Sequence, residues 1–139
     1  MILLDTNVIS ALMQRRPDPA VVGWIDELPA ESVWTTAVTV CEVWYGIELL
    51  AAGRRRRQLE EAFAKALDED FEGRVVPFDR DAARAAAAIA ATQRRAGRTI
   101  DFRDMEIAGI AMARKATLAT RNTRHFEGLG LDLVDPWAA

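Results

Sequence analysis

Residues 2–10 read ILLDTNVIS, and this segment decides how the chain folds. The apolar run Ile2–Leu4 predicts a short buried strand, and the apolar residues that recur at helical spacing over 8–13 predict a helix directly after it. Thr6, between the two, is a candidate N-cap. A strand that passes at once into a helix is typical of parallel α/β sheets, and it leaves Asp5 at the carboxyl end of the strand.

The same strand-then-helix unit recurs along the rest of the chain. Such alternation predicts a mostly parallel sheet with helices on both faces, that is, a three-layer α/β/α sandwich. The length of 139 residues fits one domain spanning residues 1–139. Beyond the first unit, the predicted strands are 32–35, 75–76, 117–120 and 131–134, and the predicted helices are about 19–28, 38–50, 54–71, 80–97 and 103–115.

The composition argues against several classes of protein. The formal net charge of −3 argues against a protein that grips nucleic acid with its whole surface, although the arginine clusters are compatible with a local basic rim. Each cluster also fits an ordinary solvated helix face. No apolar run approaches the roughly 20 residues that span a bilayer, and the N-terminus lacks the pattern of a secretory leader. The expected location is the cytoplasm, without membrane association.

Cys41 is the only cysteine, so no intramolecular disulfide can form. Its neighbours Val40 and Val43 predict a buried thiol inside a helix, and we expect a reducing compartment. A zinc site is excluded because Cys and His do not cluster, and neither a glycine-rich phosphate loop nor a nucleophile for the lone His125 is evident.

Three acidic residues stand where a shared crevice would collect them. Asp5 follows the first strand. A rotation of about 100° per residue puts Glu42 on the helix face of Tyr45, and Asp104 on the helix face of Ile107, so both carboxylates are expected to point toward packed structure. In parallel sheets, ligands bind in the crevice beyond the carboxyl ends of the strands. The sequence therefore predicts an acidic site at that edge.

Each acid also has a purely structural interpretation. Asp5 could cap the first helix, and Glu42 could hold a buried arginine. Asp101 and Asp104, three residues apart at a helix start, resemble a capping arrangement. These interpretations explain the acids one at a time, whereas a common crevice explains all of them together.

Carboxylates that share a crevice need a compensating positive charge. Two of them about 4 Å apart repel by about 4 kcal/mol at an effective dielectric constant of roughly 20. Protons, arginine or a metal ion could compensate them. A site of carboxylates and a carboxamide is an oxygen-rich ligand set that suits Mg²⁺ or Mn²⁺, so the metal ion is the favoured interpretation.

The sequence resembles the PIN-domain nucleases, and in particular the toxins of the VapBC toxin–antitoxin type. The resemblance covers almost the whole chain, and its blocks occur in the right order. They are LLDTNVIS around Asp5, TTAVTVCEVWYGI around Glu42, VVPFDRDAA before the alanine-rich helix, GRTIDFRDMEIAGIA around Asp104, and LATRNTRHFEGLGL near the end.

This resemblance implies a PIN-like fold and an endoribonuclease that depends on Mg²⁺ or Mn²⁺. It further implies the toxin of a type II system, which forms a homodimer and is silenced by a cognate antitoxin protein. The first three acids of the family fall on Asp5, Glu42 and Asp104, as metal ligands and catalytic residues. In the implied mechanism, a metal-activated water attacks the RNA phosphodiester bond.

Two positions depart from the pattern of the family. Asn122 stands at the fourth acidic position of many members, where it can contribute a carbonyl ligand or orient a water but brings no charge. His125 stands where an aspartate is frequent. These departures leave the binding of a second metal ion open. Thr6, Thr120 and Arg121 are candidate contacts to the substrate.

Two other functions compete with a nuclease. A non-catalytic PIN-like module would bind RNA or a protein without cutting, which agrees with the missing fourth acid. A phospho-acceptor signalling domain would need its aspartate at the end of an interior strand and a partner lysine, for which Lys115 is poorly placed. Incubation with labelled RNA, with and without Mg²⁺, distinguishes the three.

Overall fold

A computed structural model describes residues 1–139 and shows one five-stranded sheet with helices on both faces. Neighbouring strands all run parallel, in the order β3-β2-β1-β4-β5. No helix combines the length and the apolar character that crossing a membrane requires. The strands are β1 (Ile2–Leu4), β2 (Val33–Thr36), β3 (Val75–Val76), β4 (Thr117–Ala119) and β5 (Asp132–Val134), and the helices are α1 (Thr6–Leu12), α2 (Pro19–Asp26), α3 (Ala37–Glu48), α4 (Arg54–Lys65), α5 (Arg80–Arg95) and α6 (Phe102–Arg114).

The sheet separates two hydrophobic cores. Leu3 and Leu4 are both buried, and they belong to different cores because successive side chains of a strand point to opposite faces. On the side of Leu3 the sheet packs against α5 and α6, and on the side of Leu4 it packs against α1 to α4. The predicted three-layer sandwich is confirmed, with a sheet that is parallel throughout.

Helices α5 and α6 pack at close range. A Cβ atom added at Gly109 would lie 2.5 Å from the carbonyl oxygen of Ala82 and 2.6 Å from the Cβ of Ala86. The alanines of α5 therefore do more than favour a helix, because their small side chains admit the neighbouring helix. This contact fixes α6, whose first turn carries Asp104.

Two predictions about helix ends are wrong. The N-cap of α1 is Asp5 rather than Thr6, since Oδ1 of Asp5 accepts the backbone N–H of Thr6 at 2.8 Å. The segment predicted as one helix over 54–71 is α-helical only to Lys65 and continues as a π-helical turn over Ala66–Asp70. The other predicted elements are found with shifts of a few residues at their ends.

The prediction of a buried Cys41 is also wrong, because this residue is exposed on α3. The buried side of α3 is formed by Thr39, Val43 and Ile47. The side that carries Cys41 and Tyr45 faces solvent, and Tyr45 is 64% exposed. A helix with apolar residues on nearly every side gives no indication of which side is buried.

Candidate functional site

The three predicted acids lie near one another at the carboxyl edge of the sheet, without converging on one point. Asp5 follows β1, and its backbone N–H donates to the carbonyl oxygen of Ala119 at 2.9 Å, which extends the pairing of β1 with β4 by one residue. Glu42 lies in the middle of α3, and Asp104 lies in the first turn of α6. Asp5 and Asp104 are 6% and 5% exposed. Two buried acids and one half-buried acid thus line one crevice.

The strand half of the crevice, which we define as Asp5, Asn7 and Thr120, is held by neutral hydrogen-bond donors. Oδ1 of Asp5 accepts the backbone N–H of Thr6, and Oδ2 accepts the hydroxyl of Thr120, both at 2.8 Å. The buried Thr120 oxygen in turn accepts the backbone N–H of Asn122 at 3.1 Å and the side-chain amide of Asn7 at 3.4 Å. These donors are backbone groups or short side chains, so they hold Asp5 in one orientation.

The helix half, which we define as Glu42, Arg103, Asp104 and His125, is held by basic side chains. Nη1 of Arg103 lies 2.6 Å from Oε2 of Glu42, and Nη2 lies 3.8 Å from Oδ1 of Asp104. Nδ1 of His125 lies 3.2 Å from Oδ2 of Asp104. The hydroxyl of Thr6 donates to Oε1 of Glu42 at 2.8 Å and links the two halves. The basic side chains are about half exposed.

Burial makes both acids of the helix half weaker. It raises the pKa of Glu42, against the opposing effects of the hydrogen bond from Thr6 and the charge of Arg103. It also raises the pKa of Asp104, again against the charge of Arg103. The charge of Asp5 adds to both increases, so Asp5 repels each of the other two acids. The basic side chains of Arg103 and His125 therefore compensate the negative charge of the acids only in part.

The purely structural interpretations hold for some of the acids and not for others. Asp5 does cap α1, but its other carboxylate oxygen is used inside the crevice. At the start of α6, Asp101 is the N-cap and accepts the backbone N–H of Arg103 at 3.0 Å, so Asp104 has no capping role there. Glu42 does pair with an arginine, and that arginine is half exposed rather than buried.

The predicted orientation of Glu42 is wrong in part. Tyr45 and Leu49, which share its side of α3, are 64% and 68% exposed. Glu42 therefore stands at the boundary between the buried and the exposed sides of the helix, where it reaches the rim of the crevice. The prediction for Asp104 is confirmed, because Ile107 on the same face is fully buried.

The candidate substrate contacts are engaged inside the protein. Thr6 and Thr120 donate their hydroxyls to acids of the crevice, so both order the carboxylates. The backbone N–H of Arg121 donates to Oδ1 of Asn7 at 3.1 Å. The guanidinium of Arg121 lies over the ring of Trp137, 4.7 Å from the centroid, and this stacking restrains its position.

Asn122 and His125 have different relations to the acids. The backbone N–H of Asn122 belongs to the hydrogen-bond network of Thr120, while the residue itself is exposed. His125 reaches the buried carboxylate of Asp104 directly. Where the resemblance leads us to expect a further acid, this chain therefore brings a basic ring.

Sequence reasoning missed Arg103 and Asn7. The interpretation of Glu42 as the partner of an arginine pointed to such a residue, but nothing in the sequence selects Arg103 from the other arginines. Asn7 stands in the opening block, and its amide joins Thr120 to the backbone of Arg121. The polar DTN triplet after an apolar strand was the available signal for it.

The ligand chemistry of the crevice fits a divalent cation. Asp5, Glu42 and Asp104 supply carboxylate oxygens, the ligands that Mg²⁺ and Mn²⁺ prefer. Burial raises the pKa of Glu42 and of Asp104, and a nearby positive charge would oppose that increase. No three Asp, Glu, His or Cys side chains converge on one point as arranged. Glu42 is turned toward Arg103, and Asp104 toward His125 as well.

Two grooves flank the acids. One, of about 580 Å³, runs beside Asp104 and carries Arg98 and Arg124. The other, of about 230 Å³, runs beside Glu42 and carries Arg55. Arginine presents a planar fork that matches phosphate, so a polyanionic chain that crosses the crevice would meet basic groups on both sides.

These features define an α/β protein with an acidic crevice at the carboxyl edge of a parallel sheet. The family model described as "PIN domain" matches residues 2–130. The chain therefore belongs to the PIN-domain family, as its resemblance indicated.

Named relatives narrow this placement to the VapC type. VapC ribonuclease Y4jK of Sinorhizobium fredii is 41% identical over 137 residues, which cover 99% of this chain and 98% of that protein. Toxin FitB of Neisseria gonorrhoeae is 37% identical over 137 residues, which cover 99% of each protein. The crystal structure of FitAcB from Neisseria gonorrhoeae is similar with a TM-score of 0.92 and 37% identity, and the similarity covers 100% of both chains.

Proposed function

We propose that the protein is a Mg²⁺- or Mn²⁺-dependent endoribonuclease that acts as the toxin of a type II toxin–antitoxin system. The main observation in support is that Asp5, Glu42 and Asp104, from three different elements, line one crevice in which burial raises the pKa of Glu42 and of Asp104. The names of the relatives, a VapC ribonuclease and a toxin, agree with this proposal.

The residues of the crevice have distinct tasks in the proposed reaction. Asp5 and Asp104 would hold the metal ion, and Glu42 would orient it. When bound, the metal ion supplies the charge that activates a water and stabilises the phosphate during attack. The hydroxyl of Thr120 donates to Oδ2 of Asp5 and so helps to fix the orientation of this carboxylate. The packing of α6 at Gly109 holds Asp104 in place, so two of the carboxylates are oriented before substrate arrives.

RNA would bind through its backbone. Arg98 and Arg124 in the groove beside Asp104, and Arg55 in the groove beside Glu42, would contact phosphates on the two sides of the cut. Arg121, whose guanidinium stacks on Trp137, would add a further phosphate contact. Because phosphate contacts carry no sequence information, the choice of target RNA depends on the shape of the grooves.

Exposed apolar side chains favour two protein partners, a second copy of the chain and an antitoxin. Tyr45, Leu49 and Phe102 are 64%, 68% and 73% exposed. They stand on α3 and at the start of α6, the elements that carry Glu42 and Asp104, so a partner that covers them also restricts access to the crevice.

For the homodimer we expect contact through α3 and the region of Trp24. Light scattering that shows a monomer at micromolar concentration would contradict this expectation.

The nuclease proposal is tested with purified protein and a labelled RNA pool, in EDTA and in Mg²⁺ or Mn²⁺. We expect cleavage only with the metal ion and none by Asp104→Asn. Asp79→Asn is the matched control, because Asp79 caps α5 and pairs with Arg114 at 3.1 Å but lies outside the crevice. Asparagine also caps helices well, so this control should fold and cleave like the wild type.

The outcomes separate the competing functions. RNA binding without cleavage in any metal ion would indicate the non-catalytic module. Covalent phosphorylation of an aspartate by a phosphoryl donor would indicate the signalling domain. Cleavage that is equal in EDTA and in Mg²⁺ would contradict the metal-dependent mechanism.

A further inference from the structure

Arg103 occupies the place between two proposed metal ligands. Its Nη1 lies 2.6 Å from Oε2 of Glu42, and its Nη2 lies 3.8 Å from Oδ1 of Asp104. His125, the other basic group of the helix half, contacts Asp104 alone. Arg103 is thus the basic side chain that joins the acid of α3 to the acid of α6.

We propose that Arg103 is an internal counter-cation that must leave Glu42 and Asp104 when a divalent cation binds. The inference rests on the proposed function, because it concerns the affinity of the same site for its metal ion. It adds a property of this chain: the metal ion competes with a charge that the protein itself supplies.

The competition follows from the shared carboxylates. The guanidinium of Arg103 lies against Glu42 and Asp104, the two acids that would also help to hold the metal ion, and two positive groups at the same carboxylates would repel each other. The side chain of Arg103 is 45% exposed, so it can turn into solvent without breaking packed structure. Asp5, whose oxygens are held by neutral donors, has no such competitor.

Two consequences are measurable in the metal-free and metal-bound protein. Without Arg103, the acids of the metal-free crevice lose their main compensating charge, so the protein should melt at a lower temperature in EDTA. The metal ion, in turn, should bind more tightly because no internal charge has to be displaced. One substitution therefore moves stability and metal affinity in opposite directions.

Arg114 provides a matched control on the same helix. It stands eleven residues after Arg103, about 16 Å along α6. It is 41% exposed and pairs with Asp79 at 3.1 Å, so it resembles Arg103 in exposure and in having a carboxylate partner. Its replacement removes the same charge and a similar ion pair outside the crevice.

The experiment is a calorimetric titration of Mn²⁺, and then of Mg²⁺, into the wild type, Arg103→Met and Arg114→Met, with melting in EDTA. We expect Arg103→Met to bind Mn²⁺ at least about tenfold more tightly and to melt lower in EDTA. Arg114→Met should bind with wild-type affinity. Arg103→Lys should lie between the wild type and Arg103→Met, because lysine keeps the charge but lacks the fork that reaches both acids.

A second measurement follows the Arg103 side chain in the wild-type protein itself. In the wild-type protein, the NMR signal of the Arg103 Nε–H group is assigned by its absence from the spectrum of Arg103→Lys. During titration with Mg²⁺, we expect this signal to shift with the same midpoint as the calorimetric titration. The inference would be overturned, and the proposed function left intact, by either of two results. One is a signal that does not shift while the metal ion binds, and the other is an affinity of Arg103→Met for the metal ion that is equal to or weaker than that of the wild type. No binding of metal ion to any of these proteins would instead contradict the proposed function, and the inference with it.

Discussion

In the strand half of the crevice, Asp5 is held by a backbone N–H and a buried hydroxyl, whereas in the helix half Glu42 and Asp104 are held by half-exposed basic side chains. The first arrangement is fixed by the fold, since its donors are attached to strand ends. In the second arrangement, the half-exposed side chains of Arg103 and His125 can rotate away from the acids, so another cation can take their place. The crevice thus combines one carboxylate whose partners are fixed by the fold with two carboxylates whose basic partners are half exposed.

The largest effect should come from replacing an acid in either half. We expect Asp5→Asn and Asp104→Asn each to reduce RNA cleavage more than about a hundredfold, because each removes a ligand charge. In EDTA the two should differ. Asp104→Asn should melt higher, since burial disfavours its charge. Asp5→Asn should lose about 1–2 kcal/mol, since an amide has one acceptor oxygen for the two donors that Asp5 satisfies.

Thermal unfolding in EDTA measures the opposite changes in stability that we expect for Asp5→Asn and Asp104→Asn. Cleavage assays measure the loss of activity that we expect for both. Equal shifts of melting temperature in the two variants would show that the halves do not differ in the way described. Full cleavage activity in both would remove these residues from the metal site.

A smaller effect is expected from the hydroxyl that orders the strand half. Thr120→Val keeps the shape of the side chain but removes the donor to Asp5 and the acceptor of the Asn122 N–H. We expect a loss of about 1–3 kcal/mol in the free energy of unfolding, and cleavage lowered about tenfold. Thr120→Ser should retain both properties. Thr117→Val, at the start of the same strand, controls for the change of residue type.

Urea denaturation and single-turnover cleavage measure these two quantities. If Thr120→Val cleaved at the wild-type rate, the fixed orientation of Asp5 would be irrelevant to activity.

The pH dependence of stability should report on the helix half. Burial raises the pKa of Glu42 above 4.5 and that of Asp104 above 3.8. Between the ordinary and the raised pKa values, the folded metal-free protein binds more protons than the unfolded chain, so its stability falls as the pH rises through the raised values. We expect this fall in EDTA above about pH 4. The double variant Glu42→Gln/Asp104→Asn should lack that contribution, so parallel melting curves against pH would contradict it.

The smallest effect is expected at Asn122, which is exposed and joins the network through its backbone. Asn122→Asp adds one negative charge beside the acids, so half-maximal cleavage should need about two- to fivefold less Mg²⁺ or Mn²⁺, and the metal-free protein should melt slightly lower. Metal titrations of cleavage and melting in EDTA measure both. Unchanged values would place position 122 outside the metal site.

Much of the fold could be predicted from periodicity. The alanine-rich α5 is one example, because its composition and length favour a helix. The side of α3 that is buried could not be predicted, because apolar residues cover nearly its whole surface and the helix has no polar side to orient it. The errors at Cys41 and Glu42 have this common cause.

The site was predictable where a residue is tied to a strand end or a helix start. Asp5 and Asp104 are such residues, and the topology of a parallel sheet brings strand ends together. Arg103 and His125 reach the acids through long or exposed side chains, whose direction depends on neighbours distant in sequence. That is why the positions of Asp5 and Asp104 could be predicted from sequence, whereas the contacts that Arg103 and His125 make with the acids could not.

The exposure of Cys41 offers a spectroscopic use. As the sole cysteine, on the solvent side of α3 and one residue before Glu42, it accepts a thiol-reactive nitroxide or fluorophore without any engineered substitution. A paramagnetic ion such as Mn²⁺ that enters the crevice would broaden the nitroxide spectrum through dipolar coupling, and diamagnetic Mg²⁺ would not. Occupancy of the acidic crevice could thus be followed in the native sequence, with no RNA present.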